Sequence, residues 1–446
     1  MKGDVTIALI GPLNTKLAEY SHAARLLSSF GCRSTLLDTT TIDTDERWQS
    51  ELVQSLPTDS SVISPRQLFK LGLAEDDDGR SNLTAIIARG CLATLKSMLT
   101  TDQLDGIASL GGSQTTSLAA SVMRDPAFHV GLPKLCLSTM VASDTGSYVG
   151  ESDIVMFPSI VDISGTLNQI SKAVVFNAMA AMAGMAQRRK FELIGNKDSS
   201  IETLGGQPER PAIAVSMFGV TTACVTKADS VLVQKGYEPI VFHATGSGGK
   251  SMERLCTQGR FAGVLDITTT ELVDEMLGGV LSAGPSRLTA AASQNIPQVV
   301  SVGAMDMINF GRYDTVPSAF VEQGRRIHRH NDQVTLVRTS VEESRDLGRR
   351  MVEQIAKGRE SRREDLDRAP VKIFFPLKGV SAIDGEGLPF EDREARMALL
   401  EGIREGIREL EAASDIEVIE RESHINDASF AEDAAEALAQ LVSARR

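Results

Sequence analysis

The sequence predicts an α/β fold of two domains, each a mostly parallel sheet flanked by helices. Three observations predict it. Apolar runs of strand length alternate with stretches whose apolar residues recur at helical spacing. The Gly, Ser, Thr and His clusters fall where strands end and helices begin, the ligand-binding edge of doubly wound sheets. The chain's 446 residues also exceed the roughly 250 to 300 at which a single core stops growing.

Residues 5–10 read as a strand, Gly11-Pro-Leu-Asn-Thr-Lys16 as a turn and 17–30 as an amphipathic helix ended by Gly31. Residues 34–38 return as a strand, completing a βαβ unit. The stretch 39–78 is polar, holds the only tryptophan, Trp48, and closes on Glu75-Asp-Asp-Asp78, so it reads as a surface excursion. A helix over 83–99 leads to the strand 106–110, the turn Gly111-Gly-Ser-Gln-Thr-Thr116 and a helix to Met123. Ser113 serves there equally as an N-cap or as a ligand contact. The strand 133–137 opens a long polar connection, 138–150, from which Ser143, Asp144 and Tyr148 are placed to reach a ligand. An Ala- and Met-rich helix around 173–189 follows, too short in its apolar part for the roughly 20 residues that span a bilayer. The Gly- and Pro-rich stretch 195–211 marks the domain boundary, giving domains 1–203 and 204–446.

The second half reopens in the same way, with a strand at 212–216, the turn Phe218-Gly-Val-Thr-Thr-Ala223 and a helix to about Gly236. A short buried strand, 239–242, then runs into His243-Ala-Thr-Gly-Ser-Gly-Gly-Lys-Ser251. A strand, a glycine-rich turn and a helix start make a phosphate cradle, because glycine lets backbone approach an anion and the first helical N–H groups lack partners. The spacing fits a loose Walker A pattern with Ala244 where glycine is usual, and a tight structural turn accounts for the same glycines. As a cradle, Thr245, Gly246, Ser247, Gly248 and Gly249 wrap phosphate and Lys250 adds charge, with Gly111, Gly112 and Ser113 as a second cradle.

The strand 261–266 ends on Asp266, where a carboxylate one crossover after a phosphate loop organises magnesium. Glu271 is the second candidate Mg2+ ligand, and Thr268, Thr269 and Thr270 are candidate cofactor contacts; Thr268-x-x-Glu271 reads equally as a capping box. Further strand ends carry Asp306 and Asn309 after 297–303, His328-Arg-His-Asn331 before 334–337, and Ser381 and Asp384 after 371–378. His328 and His330 lack a third ligand and make a weak metal signal. A last strand, 417–420, precedes His424-Ile-Asn-Asp427 and an Ala-rich helix to Val442.

A net charge of −13 argues against a protein that wraps nucleic acid. The five cysteines, at 32, 91, 136, 224 and 256, are scattered without a Cys-x-x-Cys pair, so a reduced, cytoplasmic protein without structural zinc is expected. No secretory leader or membrane span is read. The first turn, Gly11-Pro12-Leu13, also lacks the dinucleotide fingerprint, and Ser251 replaces its third glycine in the second half.

Gly111-Gly-Ser, Ser138-Thr-Met, Tyr148-Val-Gly-Glu-Ser-Asp153, Met217-Phe-Gly-Val-Thr-Thr222, His243-Ala-Thr-Gly-Ser-Gly-Gly249, Leu265-Asp-Ile-Thr-Thr-Thr-Glu271, Gly278-Gly-Val-Leu-Ser-Ala-Gly284, His328-Arg-His-Asn331, Pro376-Leu-Lys-Gly-Val-Ser381 and His424-Ile-Asn-Asp427 occur together in this chain. By them the chain resembles the Tm-one-like ATP-binding family over nearly its whole length. The resemblance implies two Rossmann-like domains, ATP binding and a homodimer, without naming a reaction. It departs at Asn14, where the family's first turn carries an aspartate. The expectation is therefore an ATP site at the strands' C-terminal ends, near an interdomain cleft. Its role is a phosphotransferase or ATP-dependent ligase acting on a small molecule, or alternatively a non-catalytic module whose nucleotide gates binding of a partner protein.

Overall fold

In the computed structural model, which describes residues 5–41, 54–74, 82–142, 144–195, 210–362, 368 and 370–445, the chain divides into two compact units, Met1–Gln207 and Pro208–Arg446. The expected boundary after 203, Trp48, the acidic run 75–78 and Ser143 lie outside the described residues.

The first unit is built on β1 (Val5–Gly11), β2 (Cys32–Asp38), β3 (Ser61–Ile63), β4 (Gly106–Gly111), β5 (Lys134–Ser138) and β6 (Val155–Pro158). All pair in parallel, in the order β3-β2-β1-β4-β5-β6. The central strands are apolar on both faces because helices cover both. Ile7 and Leu9 of β1 pack with Leu13, Tyr20, Leu27 and Met179 on one side. Ala8 and Ile10 pack with Ile87, Leu95, Ala119 and Met123 on the other. The helix Leu83–Thr100 is long and apolar enough to resemble a membrane span, and its Ile87, Cys91 and Leu95 pack with Ala8, Ile10 and Leu37 of this sheet.

The strand order reverses between β1 and β4, which makes their carboxyl ends the switch point. Tyr20, from the helix Leu13–Ser29, fills the space behind it: its hydroxyl donates to Ile10 O at 2.5 Å and accepts from Leu110 N at 3.0 Å. Gly11 has to be glycine, since a Cβ there would stand 1.8 Å from that hydroxyl.

The second unit contains β7 (Ala212–Met217), β8 (Glu238–His243), β9 (Gly263–Thr268), β10 (Gln298–Gly303), β11 (Met307–Phe310), β12 (Ile327–Asn331), β13 (Val334–Arg338), β14 (Val371–Pro376) and β15 (Glu417–Arg421). Six of them form a parallel sheet in the order β15-β14-β10-β9-β7-β8. β8, expected to be buried, is the edge strand, and Ile240 and Val241 on it are exposed. The histidine-bearing segment and the apolar run after it form a separate antiparallel sheet, β11-β13-β12. Only Asp332 and Gln333 separate β12 from β13, a hairpin connection, whereas a parallel pair needs a crossover of about a dozen residues or more. All five cysteines are buried and unpaired.

Candidate functional site

Two strand-to-helix turns carry the sequence's phosphate-cradle signals, those after β8 and β4, and with the turn after β1 they differ in what already occupies their helix N–H groups. At the turn after β1, Asp38 from the end of β2 accepts from Leu13 N at 3.0 Å and from the amide and hydroxyl of Thr40. Thr40 Oγ1 in turn accepts from Asn14 N at 3.3 Å. Burial pushes the Asp38 carboxyl above its ordinary value, and these hydrogen bonds oppose the shift. Lys16 is turned away, donating to Ile163 O at 2.6 Å.

The glycine-rich turn after β8 is also occupied. Gly246, at φ +85°, caps the helix Ser247–Thr257 in a backbone region that favours glycine. The Glu271 carboxylate reaches into the turn, where Oε1 accepts from Gly246 N at 2.7 Å and Gly249 N at 3.0 Å. A Cβ on Gly249 would lie 2.0 Å from Glu271 Oε2, and one on Gly248 would lie 1.8 Å from His243 O. These glycines let the backbone close around a carboxylate of its own chain.

Arg287 holds that carboxylate. Its Nε donates to Glu271 Oε2 at 2.7 Å, and its two terminal nitrogens reach Asp266 at 2.6 and 2.7 Å. Glu253 accepts from Arg287 at 3.2 Å, and Asp266 also accepts from Ser216 Oγ at 2.6 Å. Arg287, Asp266 and Glu271 are all buried. Sequence reasoning assigns Asp266 and Glu271 to magnesium, but in the fold a guanidinium stands between them and every carboxylate oxygen has a donor. This donor set does not fit a magnesium ion. Thr268, Thr269 and Thr270 are buried as well, bonded to Thr221, Ser301 and Asn309. Of the loop itself, Ser247 and Lys250 are exposed.

The Gly111-Gly-Ser turn is different. Gly112 caps the helix Ser113–Met123 from an extended conformation, φ −86° and ψ −161°, and no side chain caps that helix. The N–H groups of Ser113, Gln114 and Thr115 are the ones its first turn leaves unpaired. They open on a cleft of about 910 Å³ at the β1/β4 switch point, within the usual range for ligand pockets. Asn14 and Thr15 line it from the first turn, Thr39 and Thr41 from beyond β2, and Tyr148 from the connection after β5. Asn82, another lining residue, caps its own helix by accepting from Ala85 N at 2.9 Å. Among the described residues, the lining is rich in hydroxyls and amides and carries no charged side chain.

The polar residues after β10, β14 and β15 are bonded to one another. Ser381 Oγ donates to Asp306 Oδ2 at 2.7 Å, and Arg396 donates to Asp384 at 2.6 Å. His424 Nε2 donates to Ser381 O and Asp384 O while Nδ1 accepts from Asn426 N, tying the segment after β15 to the one after β14. Burial, and next the Asp384 charge, push Asp306 up to about 7. His328 and His330 lie with ring centroids 6.4 Å apart, and among the described residues no three His, Cys, Asp or Glu side chains group around a metal position. Asp144 accepts from Gly146 N at 2.9 Å.

Two family models match the chain: the N-terminal domain of the uncharacterised protein family UPF0261 over residues 5–191, and its C-terminal domain over 210–442. The chain belongs to UPF0261. The cleft therefore lies inside the N-terminal UPF0261 domain and the Arg287 cluster inside the C-terminal one. The chain is 38% identical to a UPF0261 protein of Clostridium tetani over 95% of its own length and 96% of the relative's. It is 37% identical to one from Rhizobium meliloti, covering 96% and 97%. It is also 40% identical to the ToMV resistance protein Tm-1 of Solanum lycopersicum over 95% of this chain, which spans 54% of the tomato protein. The solved UDP-GlcNAc 2-epimerase of Methanocaldococcus jannaschii aligns over 90% of this chain and 99% of its own at 10% identity, with a TM-score of 0.22, too low to bear on function.

Proposed function

We propose that this UPF0261 protein binds ATP in the N-terminal switch-point cleft, with the phosphates on the start of the helix Ser113–Met123. One observation carries the reading: of the three turns, this one alone is free of an internal carboxylate, and it opens on a large cleft. A helix start with unpaired N–H groups favours an anion through both hydrogen bonds and the helix dipole. The Ser113, Thr15 and Thr39 hydroxyls supply further donors, and Ala85, Ala88 and Leu118 supply an apolar wall for a base. Magnesium enters with the phosphates rather than on a protein carboxylate, since the cleft's described lining has none.

We read the protein as a nucleotide-gated binding module, a homodimer of the cytoplasm, where five unpaired buried cysteines stay reduced. The described lining of the cleft offers no carboxylate, imidazole or amine for proton transfer near neutral pH. A phosphotransferase or ligase acting on a small metabolite is the second reading, favoured by a separate cavity of about 430 Å³ lined by Ser138 and Thr139 after β5 and by Ser159 after β6.

Calorimetric titration with ATP, with magnesium and then with EDTA, tests the binding. Saturable binding that survives EDTA with at most about a tenfold loss, and without turnover, is expected; each tenfold is about 1.4 kcal/mol. Absence of ATP binding in both buffers removes the proposal, and turnover moves the balance to the second reading.

A further inference from the structure

A second cavity, of about 430 Å³, lies beyond the carboxyl ends of β5 and β6. We propose that it is a ligand site for a small aliphatic ammonium ion. Its walls are apolar where Val141, Ala142, Ile160 and Val161 meet, and Asp162 stands at its rim. Asp162 Oδ1 accepts from Ile163 N at 2.8 Å, while Oδ2 has no partner among the described residues. An apolar wall beside a half-engaged carboxylate matches a cation carrying a short hydrocarbon tail.

Ile160 gives the second, independent observation. It is β-branched, has φ +64° and is 74% exposed, so a strained backbone holds an apolar side chain in water with no burial in return. Val161 N donates to Ser159 O at 2.7 Å, closing a three-residue turn around Ile160, and Ser159 Oγ locks it by donating to Val161 O at 2.7 Å. The turn fixes Ile160 as one wall of the cavity, and a bound hydrocarbon tail would cover it.

The floor connects to the nucleotide cleft. Thr116 Oγ1 donates to Gly112 O at 2.8 Å, so Ser138 Oγ donates to Thr116 Oγ1 at 2.7 Å and itself accepts from Met140 N at 3.0 Å. A hydrogen-bonded chain from Ser138 through Thr116 to Gly112 therefore links the second cavity to the turn that precedes Ser113 in the cleft. The placement of the ammonium ligand beside a nucleotide rests on the reading proposed above; its occupancy of the cavity does not.

Saturation-transfer NMR on the full chain tests the site with 3-methylbutylamine and its neutral analogue 3-methylbutan-1-ol, while ATP titration runs on the same samples. Saturable transfer to the amine is expected. Asp162→Asn should weaken the amine by about threefold to fivefold, the worth of one exposed ion pair, and leave the alcohol unchanged. Ala142→Trp, at an exposed position, should remove both by filling the cavity. An amine that binds the parent and Asp162→Asn alike, transfer that persists in Ala142→Trp, or no saturable transfer to the parent overturns the site. ATP binding retained in those samples leaves the nucleotide reading standing; ATP binding lost with amine binding kept does the reverse.

Discussion

Glu271→Gln separates a carboxylate that builds the glycine-rich turn from one that meets a ligand. The amide oxygen can still accept from Gly246 N and Gly249 N, but its NH2 then faces the Arg287 Nε–H, donor against donor, where a charged bond of 2.7 Å stood. Arg287 keeps its two bonds to Asp266 and its contact with Glu253, so it is not stranded. The loss should fall below the roughly 3–5 kcal/mol of an uncompensated buried charge and near that of a hydrogen bond to an ion, about 2 kcal/mol. Urea unfolding followed by far-UV circular dichroism should show the transition of the C-terminal unit moving to lower urea, while ATP binding to the folded protein keeps the parent's affinity. Parental stability with lost ATP binding would refute the reasoning, because the carboxylate would then be facing ligand rather than Arg287.

Asp306 predicts an opposite kind of pH dependence from an ordinary surface carboxylate. Burial and the Asp384 charge push its carboxyl up to about 7 from an ordinary 3.8, so between those values the folded state holds a proton that the unfolded state has lost. Stability must therefore fall as pH rises through that window. Urea midpoints at pH 5 and pH 8 should differ less in Asp306→Asn than in the parent, and equal differences would contradict the assignment. Tyr20→Phe strips the hydroxyl from Ile10 O and Leu110 N, which should lower stability by about 1–3 kcal/mol and speed hydrogen exchange at the Leu110 amide. Gly248→Ala puts a Cβ 1.8 Å from His243 O, so it should destabilise the C-terminal unit with or without ATP. That loss would be read in thermal unfolding.

Much of the architecture is legible in the chain because it is written in local periods. The strands at 5–10, 212–216 and 371–376 are apolar runs bounded by turn residues, and the Gly111-Gly-Ser turn sits where β4 meets its helix. What fills the turns is not legible, because it is decided at long range. Nothing near Gly246 announces that Glu271, 25 residues on, will cap it, or that Arg287 will hold that carboxylate. Asp38 left a fainter trace, an aspartate closing the second strand, which could have marked the first turn as self-satisfied. The glycine signal itself is ambiguous: backbone closing on a phosphate and backbone closing on an internal carboxylate need the same missing side chain. The hairpin β12–β13 was hidden for another reason, since an apolar run such as Val334-Thr-Leu-Val337 reads alike in parallel and antiparallel sheets.

The central claim is most directly tested by ATP calorimetry on Gly112→Asp. A Cβ at Gly112 meets only Thr139 Oγ1, at 3.6 Å, and the backbone there is already extended, so aspartate fits without strain. Its carboxylate should cap the helix Ser113–Met123 as Asp38 and Glu271 fill their own turns, raising stability by about 1 kcal/mol. The account predicts a folded, equally or more stable variant that no longer binds ATP. A folded variant that binds ATP as tightly as the parent would place the nucleotide elsewhere and contradict it.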